Sequence, residues 1–428
     1  MSKAIGNPAE PGEDRPWSNS LARGRVPGPR LPQQRVFDDV VGPSTQSVHG
    51  GTYIDPATGA VGTPIFTSST FEFNEHTYGA FEQGHIRDVP IYGRYGSPNQ
   101  WVLQEKVAGL ENAESGVVFA SGMAAITTTL LALTNRGGHI VTSRDVYGGS
   151  YNLLREDMFQ LGREVTFTDA TSMDAIVAAI RPETQVLFFE TLTNPLLKAV
   201  PLAELGEYAE RNRLLLVVDN TFLTPYCLRP MELGAHVVIH SATKYLGGHS
   251  DLTAGVAVGS RKYMDRVWKQ MLKFGGSLDA FPCYLLERGM KTLALRMRAH
   301  VANAAALAEF LAGHAKVVRT HHPTRPDYPY PAIREICRDG FGGMVSFEVA
   351  GGDEAALKFL ERLTIPQVAT SLGGVESLVS LPFNTSHSFL TAAQRRDIGI
   401  EPGLVRLSVG VEDIADLVAD IDQALNGI

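Results

Sequence analysis

Between about residue 100 and residue 295, short apolar runs alternate with segments of helical periodicity. Val186-Leu187-Phe188-Phe189-Glu190, Leu214-Leu215-Leu216-Val217-Val218-Asp219 and Val237-Val238-Ile239-His240 lack the polar alternation of a strand with one wet face. Strands buried on both faces and separated by helices belong to a mainly parallel sheet covered on both sides. The pattern predicts strands at 116–120, 139–142, 186–190, 214–219 and 237–240, with helices at 101–110, 122–133, 151–161 and 202–211. Beyond about residue 296 the texture changes. A long Ala- and Leu-rich helix is predicted at 297–311, then strands at 344–349, 377–381 and 404–409 and helices at 353–363 and 414–425. At 428 residues the chain exceeds one average domain. The expected organisation is a large domain over 101–295 and a smaller α/β domain over 296–428.

Residues 1–45 differ from the rest, holding seven of the 24 prolines and few apolar side chains. Such a segment buries too little surface to offset its ordering entropy, so it reads as a flexible tail. The alternative is an arm that wraps a partner subunit. A net charge of -8 gives no electrostatic case for nucleic acid. The three cysteines, Cys227, Cys283 and Cys337, form no C-x-x-C pair, so neither a metal site nor a disulfide framework is expected. With no apolar stretch of membrane-spanning length and no signal-peptide core, a cytoplasmic location without membrane partners is the default.

Ligands on parallel sheets bind beyond the carboxyl ends of the strands. Two such ends carry chemistry. Asp219 closes one apolar run, and Ser241-Ala242-Thr243-Lys244 follows another. A lysine able to form a Schiff base, hydroxyls able to hold a phosphate and a buried carboxylate able to charge a pyridine nitrogen are what pyridoxal phosphate (PLP) requires. Each feature has a plainer reading alone. Lys244 could be a solvated surface lysine, although Gly247-Gly248 marks a turn where backbone passes close to something. Asp219 could cap a helix. Ser121-Gly122-Met123 could be an ordinary helix start or a phosphate site made of free N–H groups. Tyr147 could be a turn residue or a ring-stacking proton donor. Arg406, a charge inside the apolar run Val405-Arg406-Leu407, calls for a carboxylate, either a substrate's or a structural Asp or Glu.

The order of these features resembles the PLP-dependent enzymes of cysteine and methionine metabolism: cystathionine γ-synthase, cystathionine γ- and β-lyases, methionine γ-lyase and homoserine-ester sulfhydrylases. The likeness runs from about Ser47 to the C-terminus. It is carried by Val218-Asp-Asn-Thr-Phe222, Ser241-Ala-Thr-Lys-Tyr-Leu-Gly-Gly-His-Ser-Asp251, Ser371-Leu-Gly-Gly-Val-Glu-Ser377 and Arg406-Leu-Ser-Val-Gly-Val-Glu-Asp413. The resemblance implies the PLP-dependent transferase fold type I, with a mostly parallel seven-stranded sheet and a smaller C-terminal α/β domain. It implies Lys244 as the cofactor lysine and Asp219 as the partner of the pyridine nitrogen. Gly122, Met123, Ser241 and Thr243 would bind the phosphate, Tyr147 would stack on the ring and Asn194 would lie near its 3-hydroxyl. Arg406 and Ser371 would hold the substrate α-carboxylate. Residues 46–100 would form an arm whose Tyr92 and Arg94 reach the phosphate of the neighbouring subunit, in at least a dimer and usually a dimer of dimers.

Three departures bear on the subtype. The family commonly shows Tyr-Ser-Arg-x-x-Asn-Pro-Thr, where this chain has Tyr92-Gly93-Arg94-Tyr95-Gly96-Ser97-Pro98-Asn99. Gly149 stands where methionine γ-lyases tend to carry cysteine. Thr370 stands where cystathionine-using γ-enzymes tend to carry glutamate. The reading is a PLP-dependent carbon–sulfur lyase that takes a sulfur-containing amino acid to a 2-oxo acid and ammonia. The alternative is a γ-replacement synthase using the same residues. A nicotinamide dehydrogenase would share the α/β pattern, but no G-x-G-x-x-G follows a strand.

Overall fold

The computed structural model describes residues 41–388 and 390–428, together with Gln34 and Phe37. Most of the expected tail therefore lies outside the described residues; from Val41 the chain leads into a short helix, Pro43–His49.

The first sheet has seven strands: β1 (Ser115–Phe119), β2 (His139–Ser143), β3 (Glu164–Thr168), β4 (Thr184–Glu190), β5 (Leu215–Asp219), β6 (Val237–His240) and β7 (Gly255–Gly259), in the order β1-β7-β6-β5-β4-β2-β3. Strands β3, β2, β4, β5 and β6 run parallel, and β7 lies antiparallel between β6 and β1. Alternate residues serve two cores. Leu187, Phe189, Leu216, Val218 and Val238 enter one, whereas Val186, Phe188, Val217, Val237 and Ile239 enter the other. That is why these strands are apolar throughout.

Most predicted elements are present, with shifted ends. Helices Gly122–Leu133 and Leu202–Arg211 and strand β6 coincide with the prediction. The helix expected at 151–161 is a correction. It begins at Gly148, continues through a π-helical stretch at Leu153–Asp157 and ends at Gln160. Tyr147 is the N-cap, and Gly148 and Gly149 form the first helical residues. Strands β3 and β7 were not predicted. The first is only half-buried, and the second is a Gly-Val-Ala-Val-Gly run with weak strand propensity.

A second sheet is formed by β8 (Val317–His321), β9 (Met344–Val349), β10 (Gln367–Val368), β11 (Leu378–Ser380) and β12 (Leu404–Ser408), in the order β10-β11-β12-β9-β8. Helices Gly352–Arg362 and Ile414–Asn426 and the C-terminal half of helix Leu293–Gly313 pack on it. The N-terminal end of that last helix, through Leu293, Ala294 and Met297, belongs instead to a core of the first sheet. One helix is thereby built into both cores. Among the described residues, no helix is long and apolar enough to cross a membrane.

Two buried devices fix the strand ends that matter. The Glu111 carboxylate, at the end of helix Pro98–Glu111, accepts from Asn220 Nδ2 (2.9 Å) and pairs with His240 Nε2 (2.7 Å). Both members of the His240–Glu111 pair are almost fully buried. They tie the residue after β5 and the last residue of β6 to one helix. On the other face, Gly255 lets β7 pass the start of helix Gly122–Leu133; a Cβ there would meet the Ser121 carbonyl oxygen at 2.1 Å. Gly255→Ala is expected to cost about 1–3 kcal/mol in urea unfolding, the usual price of overpacking. A change below about 0.5 kcal/mol, typical of an unconstrained position, would contradict this packing.

Candidate active site

A cavity of about 240 Å³ opens at the carboxyl ends of β4, β5 and β6, and residues after β10 and on β12 close its other side. Of the residues singled out in sequence, it brings together Gly122, Met123, Tyr147, Asn194, Asp219, Ser241, Thr243, Lys244, Ser371 and Arg406. Tyr92 and Arg94 do not line it. Tyr92 is 46% exposed, and the Arg94 guanidinium donates to the Leu272 carbonyl at 2.6 Å.

Lys244 sits on the turn after β6. Its Nζ donates to Ser371 Oγ at 2.5 Å. Burial, and then the nearby Arg406 charge, lower its pKa to about 8. Gly248, at φ 74°, provides the close approach that the glycine pair implied. A Cβ there would overlap the Arg296 guanidinium, which donates to the carbonyls of Tyr245 (2.7 Å), Leu246 (3.3 Å) and Gly289 (2.9 Å). Arg296 thus clasps the lysine turn. Nothing in its helical sequence context signals this role, because its partners are backbone atoms.

Asp219 is buried at the end of β5. Both hydrogen bonds to it come from Thr221, through N–H (2.9 Å) and Oγ (2.5 Å), and both fall on Oδ1. That arrangement leaves Oδ2 for a partner in the cavity. Burial raises the Asp219 pKa, opposed by the Thr221 bonds and His240. Thr221 Oγ also accepts from the Ser241 amide at 2.8 Å. One threonine therefore links the carboxylate strand to the hydroxyl turn.

At the other end of the cavity, Ser121 caps helix Gly122–Leu133, its side chain accepting from Ala124 N–H at 3.1 Å. A Cβ on Gly122 would come within 2.8 Å of Ser241 Oγ, so helix start and turn face each other across a gap that only glycine leaves open. Amides at a helix N-terminus facing a hydroxyl suit an anion. The Thr243 hydroxyl is engaged with Ala254, donating to its carbonyl (3.2 Å) and accepting from its amide (2.9 Å).

Arg406 projects from β12 and is 6% exposed. Its Nη1 donates to Asn194 Oδ1 (3.3 Å) and its Nη2 to the Ser371 carbonyl (2.9 Å), while Nε is buried without a partner. Among the described residues no Asp or Glu pairs with it. Of the two partners left open by the sequence, the structural carboxylate is absent. Burial pulls the guanidinium pKa down to about 10, so it remains charged at neutral pH. Ser371 holds φ 82°, a costly conformation for a residue with a side chain. It places Oγ on Lys244 and its carbonyl on Arg406.

Sequence reading missed several lining residues: Ile126, Glu190, Leu192, Thr221, Phe222, Thr253 and Leu372. Glu190 was detectable, since it closes an apolar strand as Asp219 does. The apolar ones carry no local signal.

The donor set fits PLP on its geometry. A buried carboxylate has one oxygen uncommitted, a lysine is shifted toward its neutral form, and a helix start faces hydroxyls across a side-chain-free gap. A buried guanidinium lacks a counter-charge. The Cys/Met metabolism PLP-dependent enzyme family model matches residues 44–426. The chain is 42% identical over 388 residues to cystathionine gamma-lyase of Bacillus subtilis (strain 168), covering 90% of this chain and 99% of that protein. It is 42% identical over 393 residues to L-methionine gamma-lyase of Pseudomonas deceptionensis, covering 90% and 97%. The crystal structure of cystathionine gamma-lyase from Lactobacillus plantarum complexed with L-serine superposes with a TM-score of 0.85 at 37% identity, covering 91% of this chain and 99% of that one. On sequence, fold and the chemistry of its cavity, the chain belongs to the PLP-dependent enzyme family of cysteine and methionine metabolism, with the fold type I architecture.

Proposed function

We propose that this protein is a PLP-dependent carbon–sulfur lyase that converts a sulfur-containing amino acid to a 2-oxo acid and ammonia. One observation carries the reading: the buried, carboxylate-free Arg406 shares a cavity with the partly neutral Lys244. A guanidinium in that state offers two donors to a substrate α-carboxylate. The two relatives named above act on different sulfur amino acids at equal identity, so the class is supported and the substrate within it is left to experiment.

In this reading Lys244 would hold the cofactor, and Asp219 would partner its ring nitrogen. Gly122, Met123, Ser241 and Thr243 would hold the phosphate, Tyr147 would stack on the ring and Asn194 would lie near the 3-hydroxyl. Bound there, PLP supplies an electron sink for the pair left at the substrate α-carbon. Arg406, with Ser371, would hold the substrate carboxylate beside Lys244, whose Nζ would take the α-proton. A base lowered to about 8 can take that proton near neutral pH. Tyr147, which lines the cavity and is 47% exposed, would give a proton to the departing sulfur. Among the described residues lining the cavity the cations are Lys244 and Arg406, and in this reading both are committed, one to the cofactor aldehyde and one to the substrate carboxylate. This supports a neighbouring subunit bringing Tyr92 and Arg94 to the phosphate, in a homodimer or dimer of dimers. A cytoplasmic location completes the proposal.

The deciding experiment offers methionine, cystathionine, cysteine, homocysteine and O-acyl-homoserines, with and without a thiol. Oxo acid without thiol is expected; a thioether formed only with thiol would establish a replacement synthase instead. Lys244→Ala should remove turnover and the visible absorbance, and retained turnover would overturn the role of Lys244. Arg406→Met should raise KM by at least about 30-fold, the loss of a buried charged contact. In cofactor-free protein, labelling of Lys244 by acetic anhydride should rise with a midpoint near pH 8. Burial and the Arg406 charge both disfavour the protonated amine, so its neutral fraction grows at lower pH than for a free lysine. A midpoint above pH 10 would contradict the burial described.

A further inference from the structure

The cavity holds a second acid. Glu190 is the last residue of β4 and pairs in parallel register with Asp219 on β5. Residues in register on adjacent parallel strands lie about 4.8 Å apart and face the same side. Both line the cavity, and each is 8% exposed. Glu190 Oε1 accepts from the backbone N–H of Tyr147 at 2.8 Å. Two residues earlier, Asp145 is bonded to Lys198 Nζ at 2.7 Å, and that amine also donates to the Ile398 carbonyl at 2.8 Å. The loop carrying Tyr147 is therefore held at two points. Its ring lies against Gly149, where a Cβ would sit 2.7 Å from Tyr147 Cε1.

We propose that Glu190 is a positioning residue of the cofactor site, acting as a neutral carboxylic acid that pins the Tyr147 amide and so sets the ring over the cavity. The proposal rests on the PLP reading above. Two neighbouring buried carboxyls do not both ionise; one keeps a proton. Asp219 receives two hydrogen bonds from Thr221 and the favourable influence of His240, whereas Glu190 receives one amide and faces the charges of Asp219 and Asp145. The proton therefore resides on Glu190. Asp219 is left as the ionised member of the pair, available to the ring nitrogen, and the Glu190 carbonyl oxygen remains an acceptor for Tyr147. A glutamine reproduces both properties. An aspartate keeps the acid but withdraws it by one methylene from the amide.

The test compares Glu190→Gln, Glu190→Asp and Glu190→Ala with the parent holoenzyme. The readouts are the visible circular dichroism of bound PLP, its dissociation constant, and kcat and KM for the best substrate. Gln is expected to stay within about threefold of the parent in affinity and to keep the visible signal. Asp and Ala should bind PLP roughly fivefold to tenfold more weakly, the effect of losing one buried hydrogen bond, with a reduced visible signal and a fall mainly in kcat. If Gln falls as far as Asp and Ala, Glu190 works as a carboxylate and the proposal is wrong. If Asp and Ala match the parent, Glu190 positions nothing. A parent enzyme that binds no PLP would instead overturn the reading on which the proposal rests.

Discussion

The arrangement depends on a carboxylate placed, at a cost, where water is scarce. Asp219 stands at the end of a strand buried on both faces, and burial alone would drive it toward its protonated form. Two donors from Thr221 offset part of that cost on one oxygen. The other oxygen is left for a cation inside the cavity. Sheet, cavity and cofactor chemistry meet at that atom.

The surroundings act to keep that point fixed. The Glu111–His240–Asn220 cluster locks the adjoining strand ends to one helix from the far side of the sheet. Arg296 holds the Lys244 turn by its carbonyls, and Thr221 ties Asp219 to Ser241. Most of these contacts are buried, and several involve charge. Each is worth more than a surface pair, because removing one partner strands the other without water.

The second sheet and its connections contribute two polar groups to the cavity. Arg406 comes from β12, and Ser371 from the segment between β10 and β11. Both reach across to first-sheet residues, Arg406 to Asn194 and Ser371 to Lys244. The helix Leu293–Gly313, shared by the two cores, couples the position of one sheet to that of the other. The cavity wall around Ser371 and the lysine are thus assembled from segments separated by more than a hundred residues.

Much of this was legible in the residues alone. Continuous apolar runs with helical intervals specify a parallel sheet, because such strands can be stable only when covered on both faces. Asp219 and Lys244 were readable because one ends a strand and the other sits on the turn just after one, and strand ends are where such sheets bind ligands. Other features had no local signature. Arg296 recognises backbone carbonyls, so its sequence neighbours say nothing of its partners. The partner of Arg406 remained open until the fold placed Asn194 and the Ser371 carbonyl, but no carboxylate, beside it. Glu190 closes an apolar strand as Asp219 does, but only the register sets the two side by side. Sequence by itself determined most of the elements, the parallel sheet and the chemical kind of the site, since periodicity and residue type are local properties. Only the tertiary structure decided which charges are paired, which are left without a counter-charge and which carboxyls stand side by side, since those depend on distance and burial between segments far apart in the chain.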